Sequence, residues 1–369
     1  MKVSKILVIV LALIFSFESI GQGFYNRYGY RTKRHEINIG GGATSCLTDL
    51  GGRDAIGSGF LWDIDIAKTS YIGSFSYIYN ALSKFAFRFN LAYLNISGDD
   101  RYAGNFHRNN RRLNFETSII ETAAIFELTL ITAKTGDRYN LKGPARKFIK
   151  ARKPTGLGLY IFGGVGGFHF EPYGYDRFTD DKGNVTGSGL KYKLRPLHTE
   201  GQGMEGGPEE FSEGKTYSQF AICTPVGFGL KKAFSSSSGL KIEASYRFTN
   251  TDYLDDVSTL YYDREKLIQK YGEASGKMSG TSTGIKYTYI GYAIDGNFPI
   301  GAIESPEIGG TNSYIMERRY TEAGNQRGNP VNDDGYMYVT LSVYKKFTNH
   351  AKSYRPIRRN QKRKVKASF

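Results

Sequence analysis

Eight stretches of the chain alternate apolar residues with polar or small ones at a period of two, starting near residues 35, 70, 85, 114, 157, 218, 240 and 336. Successive side chains of an extended strand point to opposite faces, so each stretch predicts a strand with one greasy and one non-greasy side. The clearest is FAFRFNLAY, where Phe85, Phe87, Phe89, Leu91 and Tyr93 share a face and Ala86, Arg88, Asn90 and Ala92 share the other. In LKIEASYRF the greasy set is Leu240, Ile242, Ala244, Tyr246 and Phe248, opposite Lys241, Glu243, Ser245 and Arg247. SQFAICTPVGFGL sets Phe220, Ile222, Val226, Phe228 and Leu230 against Ala221, Cys223, Pro225, Gly227 and Gly229.

Two architectures use such strands. A soluble sandwich puts the greasy face in its core and ordinary surface charge on the other. Here the second face mixes glycine, alanine and serine with isolated ions, which suits the lumen of an eight-stranded barrel, a space just wide enough for side chains to fill. The links alternate in length as well. ALSK (81–84) and SSSSG (235–239) are tight, while the links around 99–113, 174–217 and 255–335 are long. Outer-membrane barrels have short periplasmic turns and long external loops. The expected fold is therefore all-β: an eight-stranded antiparallel outer-membrane β-barrel over residues 22–347, its strands about 9–11 residues long. One periplasmic link, about 133–156, is unusually long.

The ends agree with export. MKVSKILVIVLALIFSFESIGQ reads as a secretory signal peptide over residues 1–21, cut before Gln22. Beyond it no window of about 18 apolar residues occurs, which argues against helical membrane spans. Residues 348–369 form a basic periplasmic tail. Abundant Gly (45), Tyr (28) and Phe (24) with one Trp is barrel-like composition. Cys46 and Cys223 are expected to point inward near the outer end on non-neighbouring strands, as packed residues rather than a disulfide.

The formal net charge of +15 is unevenly spread. The link TAKTGDRYNLKGPARKFIKARKP has eight Lys and Arg against Asp137, and the tail has eight and no acid, whereas the two longest external loops carry more acids than bases. Concentration at the periplasmic end marks a docking surface for an acidic or polar partner. Its expected contacts are Arg138, Lys142, Arg146, Lys147, Lys150, Arg152 and Lys153, with Phe148 beside Ile149 as a small apolar anchor. Attraction to the anionic inner surface of the membrane is the blander alternative, and nucleic acid is set aside because an exported protein rarely meets any.

Inside the barrel, Arg88, Lys241 and Arg247 are expected to meet Glu121, Glu127 and Glu243. Such a set forms either a selectivity ring or proton path, or an ionic plug, and a plug is expected, because unpaired buried ions are costly and an eight-stranded lumen leaves little room for a pore. Asp252, Asp255 and Asp256 follow the seventh strand and are expected to cap the external rim by accepting backbone amide hydrogen bonds. An oxygen-rich Ca²⁺ site is the alternative, without the spacing of an EF-hand loop. His35, His107, His169, His198 and His350 form no pair at ligand spacing, and GGVGGFHF lacks the Lys-Ser/Thr and helix of a phosphate loop. No catalytic set, cofactor or metal site is therefore assigned, and no small-molecule substrate is expected.

RFTNTDYLDDVSTLYYD, Thr48-Asp49-Leu50-Gly51-Gly52, Gly98-Asp99-Asp100 and Arg327-Gly328-Asn329-Pro330 together resemble the PorG-like outer-membrane barrels of the type IX secretion system. The resemblance spans His35 to Phe347, and Asp252, Tyr253, Leu254, Asp255 and Asp256 are its most specific part. It implies a non-enzymatic component of the secretion and gliding machinery, associated with outer-membrane lipids and with the periplasmic ring of PorK and PorN. The long fourth external loop and the basic tail depart from the pattern. A surface receptor or adhesin is the competing reading; a lipid-cleaving or acyl-transferring barrel would need a catalytic pair that the chain does not display.

Overall fold

The computed structural model describes residues 29–50, 69–100, 111–133, 156–179, 185–280, 286–292, 303–304 and 313–347. The signal peptide, most of the basic link and the tail lie outside the described residues.

Eight long strands form the main sheet: β1 (His35–Leu47), β2 (Ser70–Tyr79), β3 (Phe85–Asp99), β4 (Asn114–Ile131), β5 (Leu157–Tyr175), β6 (Phe220–Ala233), β7 (Ser238–Thr249) and β8 (Gly335–Phe347). Each pairs antiparallel with its sequence neighbours, and β1 pairs with β8 from His35↔Phe347 to Leu47↔Gly335, closing the barrel. Closure leaves the main sheet without an open edge. The start of β1, the end of β8 and the tight turns at 80–84 and 234–237 lie at one end, where β4 also hands over to β5, and the other long links lie at the opposite end.

The faces divide as the alternation predicts. Phe87 and Phe89 are 57% and 53% exposed on the outer wall, while Arg88 between them is 3% exposed. Ile242, Phe248, Val339 and Leu341 continue the greasy exterior. A continuous apolar outer wall has no stable place in water, and a barrel with all ladder hydrogen bonds closed is one of the two structures that span a bilayer.

Strand length corrects the expectation. β3, β4 and β5 run to 15, 18 and 19 residues rather than the minimum a bilayer needs. Their outer ends rise past the greasy band: in β3 strict alternation ends at Leu94, and Leu94, Asn95 and Ile96 are all buried. Leu94 and Ile96 pack there with Leu50, Leu113, Leu254 and Val257 of the external loops.

The lumen is filled in layers. Arg247 donates to Glu121 at 3.0 Å, with Tyr336 donating to the same carboxylate. Below it Arg88 bridges Glu127 at 3.1 Å and Glu243 at 2.7 Å, and its guanidinium lies 4.4 Å from the centre of the Phe162 ring. The small inner face of β6 makes room for these rings: a Cβ at Gly229 would strike Tyr160, and one at Gly227 would sit 2.6 Å from Phe162. Nearest the periplasm, Lys241 bonds Glu36 at 2.8 Å. Lys241 thus differs from expectation in its direct partner, and Glu36 and Lys231, at 2.7 Å, join the ionic set. Deleting one partner of such a pair leaves a buried ion unpaired, at about 3–5 kcal/mol. Cys46 and Cys223 are free thiols on non-neighbouring strands, Cys223 buried, as packed residues should be.

The external loops are built rather than loose. Lys191–Lys193 extends the edge of β5 at Tyr173–Tyr175, and Phe178–Thr179 pairs with Val185–Thr186. The last loop holds two helices, α1 (Arg264–Tyr271) and α2 (Glu273–Met278), and a three-stranded sheet of Lys286–Tyr292, Ile303–Glu304 and Ser313–Arg319. Asp263 caps α1 by accepting from Glu265 N and Lys266 N. No described helix is long and apolar enough to cross a membrane.

Candidate functional site

Beyond Thr249 the chain turns inward. Asp256 N donates to Tyr253 O at 3.3 Å, closing a turn, and Asp256 itself has φ 65°, a left-handed conformation that aspartate tolerates better than most residues. The turn drops Leu254 and Val257, both fully buried, into the outer mouth against Leu94, Ile96, Phe115, Ile119 and Phe170. Thr117 of β4 donates to Leu254 O at 2.5 Å. Tyr253 stacks on Tyr217 at 4.6 Å. The TDYLDD element is a plug for the outer end of the lumen.

Its aspartates tie that plug to the other loops. Asp255 accepts from Leu50 N at 2.8 Å and Val257 N at 3.0 Å, the rim-capping role expected of it. Asp256 departs from that expectation by accepting side-chain hydroxyls, from Thr199 and Tyr217, both at 2.6 Å. Neither carboxylate oxygen of Asp252 accepts a hydrogen bond among the described residues. Burial, and then the nearby carboxylates of Asp49, Asp255 and Glu200, push Asp252 up to about 8. Burial followed by Asp49 does the same to Asp255, also about 8, while Arg327 and the two hydroxyls offset burial at Asp256, leaving it at about 6. Asp334, whose carboxylate accepts from Leu254 N at 2.9 Å, is likewise driven up by burial and its acidic neighbours. No group of three or more ligating side chains converges for a metal among the described residues.

Two arginines lock the loops together. Arg327 donates to Glu200 at 2.8 Å and to Asp256 O at 2.7 Å. Arg111 donates to Asp100 at 2.7 Å, to Arg327 O at 2.6 Å and to Asp49 O. Asn329 N donates to Asp49 at 2.5 Å. The motif glycines follow from this crowding. A Cβ at Gly328 would lie 2.6 Å from Asp49 Oδ2, and one at Gly98 would collide with the Phe115 ring and sit 2.7 Å from Leu50 O. The stretches at 48–50, 98–100, 252–256 and 327–330, scattered along the chain, form one hydrogen-bonded cap.

Arg111, Glu200, Tyr217 and Asp334 are cap residues that the period-two reading passed over. Glu200 accepts from Ser258 N at 2.9 Å and from the Thr259 hydroxyl at 2.8 Å besides Arg327. A signal for it existed in the glycine-dense run EGQGMEGG, where Gly201, Gly203 and Gly206 all have positive φ, the mark of a compact folded loop. Of the histidines, His35 faces Tyr77, His169 packs on Phe220 and His198 stacks on Tyr271 at 4.2 Å. Arg138, Lys142, Arg146, Lys147, Phe148, Lys150, Arg152 and Lys153 lie outside the described residues.

Above the plug, the last two long loops bound a cleft of about 740 Å³. Its walls include Pro208, Leu260, Tyr262 and Pro330 beside Glu205, Glu209, Asp263 and Lys266.

No protein-family model matches the chain, and no curated protein matches it in sequence. Among solved structures, Neisserial surface protein A (NspA) aligns over 85% of this chain and 97% of its own, with 10% identity and a TM-score of 0.30. The outer membrane protein OprG from Pseudomonas aeruginosa aligns over 85% and 96%, with 8% identity and a TM-score of 0.30. Ail, the attachment invasion locus protein of Yersinia pestis, aligns over 85% and 98%, with 8% identity and a TM-score of 0.26. Location follows from the barrel itself. A closed eight-stranded sheet with a greasy exterior and loops built out at the end opposite its tight turns is an outer-membrane barrel.

Proposed function

We propose that this barrel is a non-enzymatic outer-membrane component of the type IX secretion and gliding machinery, docking the periplasmic ring of PorK and PorN to the outer membrane. The observation that carries the proposal is the convergence of the four stretches that resemble PorG-like barrels. Arg111 alone touches three of them, through Asp49, Asp100 and Arg327. Chance matches strewn along a chain have no reason to meet. The cap is then the structural signature, and the dock is the basic link, where arginine and apolar anchors set affinity and surrounding lysines set encounter rate.

The test is reversal of Arg146, Lys147 and Lys150 to Glu. The variant should insert normally, retain less PorK and PorN on purification by about tenfold or more, and impair secretion. Normal insertion with undiminished ring proteins at moderate salt would remove this link as the dock. The external cleft favours a second reading, a surface receptor or adhesin, because it is a formed concavity facing outward. Leu260→Glu, at an exposed wall residue, separates the two: loss of surface attachment with secretion intact selects the receptor.

A further inference from the structure

The described periplasmic mouth holds more positive charge than its own residues balance. Deeper in the lumen Arg247 faces Glu121, and Arg88 faces Glu127 and Glu243. Glu36 then serves Lys231 at 2.7 Å and Lys346 at 3.8 Å besides Lys241 at 2.8 Å. Glu36 is sealed from solvent, but the side chains of Lys231 and Lys346 are 17% and 24% exposed. A carboxylate arriving from outside would find two reachable ammonium groups and one shared counter-ion.

The direction of these lysines narrows the class of partner. Both stand on the inner face, in line with Gly229 on β6 and Tyr344 on β8, and Lys231 lies 3.9 Å from the centre of the Tyr344 ring. Lipid headgroups surround the outer wall, so cations turned toward the barrel axis address something that approaches along that axis. Among the described residues of this end, 29–36, 80–84, 132–133, 231–241 and 343–347, the sole acid is Glu36. The uncompensated charge suits an anionic group supplied by another molecule.

We propose that the periplasmic mouth of the barrel is a receptor for an acidic peptide segment, which enters along the axis and pairs with Lys231 and Lys346. The proposal needs only a periplasmic partner and holds whether or not that partner belongs to the type IX machinery.

The test uses the full mature chain in phosphatidylcholine nanodiscs and a fluorescein-labelled decaglutamate peptide, followed by anisotropy at about 50 mM and 300 mM salt. Binding should weaken with salt. Lys346→Gln and Lys231→Gln should each weaken it about two- to fivefold at the lower salt, and Glu36→Gln, which adds net positive charge at the same place, should tighten it. A merely structural role would not move these variants in opposite directions. Heat-modifiable migration establishes that each variant is folded; if Glu36→Gln is not, additive weakening by the two lysine variants decides instead. The proposal is overturned if the peptide does not bind, or if the mouth variants bind like the parent while neutralising Lys362, Arg363 and Lys364 abolishes binding. It is also overturned if Lys346→Gln lowers retention of phosphatidylglycerol and leaves peptide binding unchanged, since the mouth would then be a lipid site.

Discussion

Asp252 shows how a residue that looks like surface charge in the sequence becomes something else once its loop folds inward. It is buried, neither of its oxygens accepts a hydrogen bond among the described residues, and it faces Asp49, Asp255, Asp334 and Glu200, while the nearby Arg111 is paired with Asp100. Its folded-state value, about 8, stands above the ordinary 3.8. The native cap therefore prefers the protonated acid: stability is fully present below about pH 3.8 and is lost as pH rises toward 8. Asp252→Asn should remove that dependence, with amide exchange across residues 250–260 slowed about tenfold at pH 8 and little changed at pH 4, after discounting for the group's partial access to water. Equal exchange in parent and variant at pH 8 would mean that Asp252 is stabilised as a carboxylate, as the neighbouring Ser258 hydroxyl would do. The aspartates were visible in the sequence as a feature; that they form a plug was not, because burial here is decided by Leu254 and Val257 meeting β3, β4 and β5 from far along the chain.

At the scale of elements, period-two alternation was sufficient to locate the eight barrel strands, since each has one wall in lipid and one in a packed lumen. It was blind to α1, although Asp263 and the run REKLIQKY carry the ordinary marks of a capped helix. It also missed the Lys241–Glu36 pair, because which ions meet across a lumen depends on strand stagger, which alternation does not encode. The strand ends make a separate prediction. Phe347 closes the seam opposite His35 and projects a half-exposed ring at the periplasmic rim, 22 residues before the chain ends. If recognition during assembly reads the end of the last strand, Phe347→Ala should cut the inserted amount by about half or more and Phe369→Ala should not. Quantifying heat-modifiable protein in outer-membrane fractions checks this, and sensitivity at Phe369 instead would place the assembly signal in the tail.

At the scale of the whole molecule, two arrangements bear on transport through the barrel. The outer mouth is stoppered by apolar side chains of the TDYLDD plug, and the lumen below it is crossed by the Arg247–Glu121 and Arg88–Glu127–Glu243 layers, packed against Tyr160, Phe162, Tyr336 and Tyr338. An ion moving along the axis would have to displace buried pairs whose separation is worth several kcal/mol each and then pass a dry plug, which together form a barrier no single side-chain rotation removes. The purified protein in planar bilayers should accordingly show no steady conductance at neutral pH. Arg88→Ala gives the sharper measurement. It deletes the cation shared by Glu127 and Glu243, so those carboxylates should take up protons or water, and heat-modifiable stability should fall by about 3–5 kcal/mol, while conductance stays closed because the outer plug is untouched. A stable cation-selective current in the parent protein would contradict the filled lumen. A current in Arg88→Ala alone would locate the barrier in the ionic layer and leave the plug with no part in it.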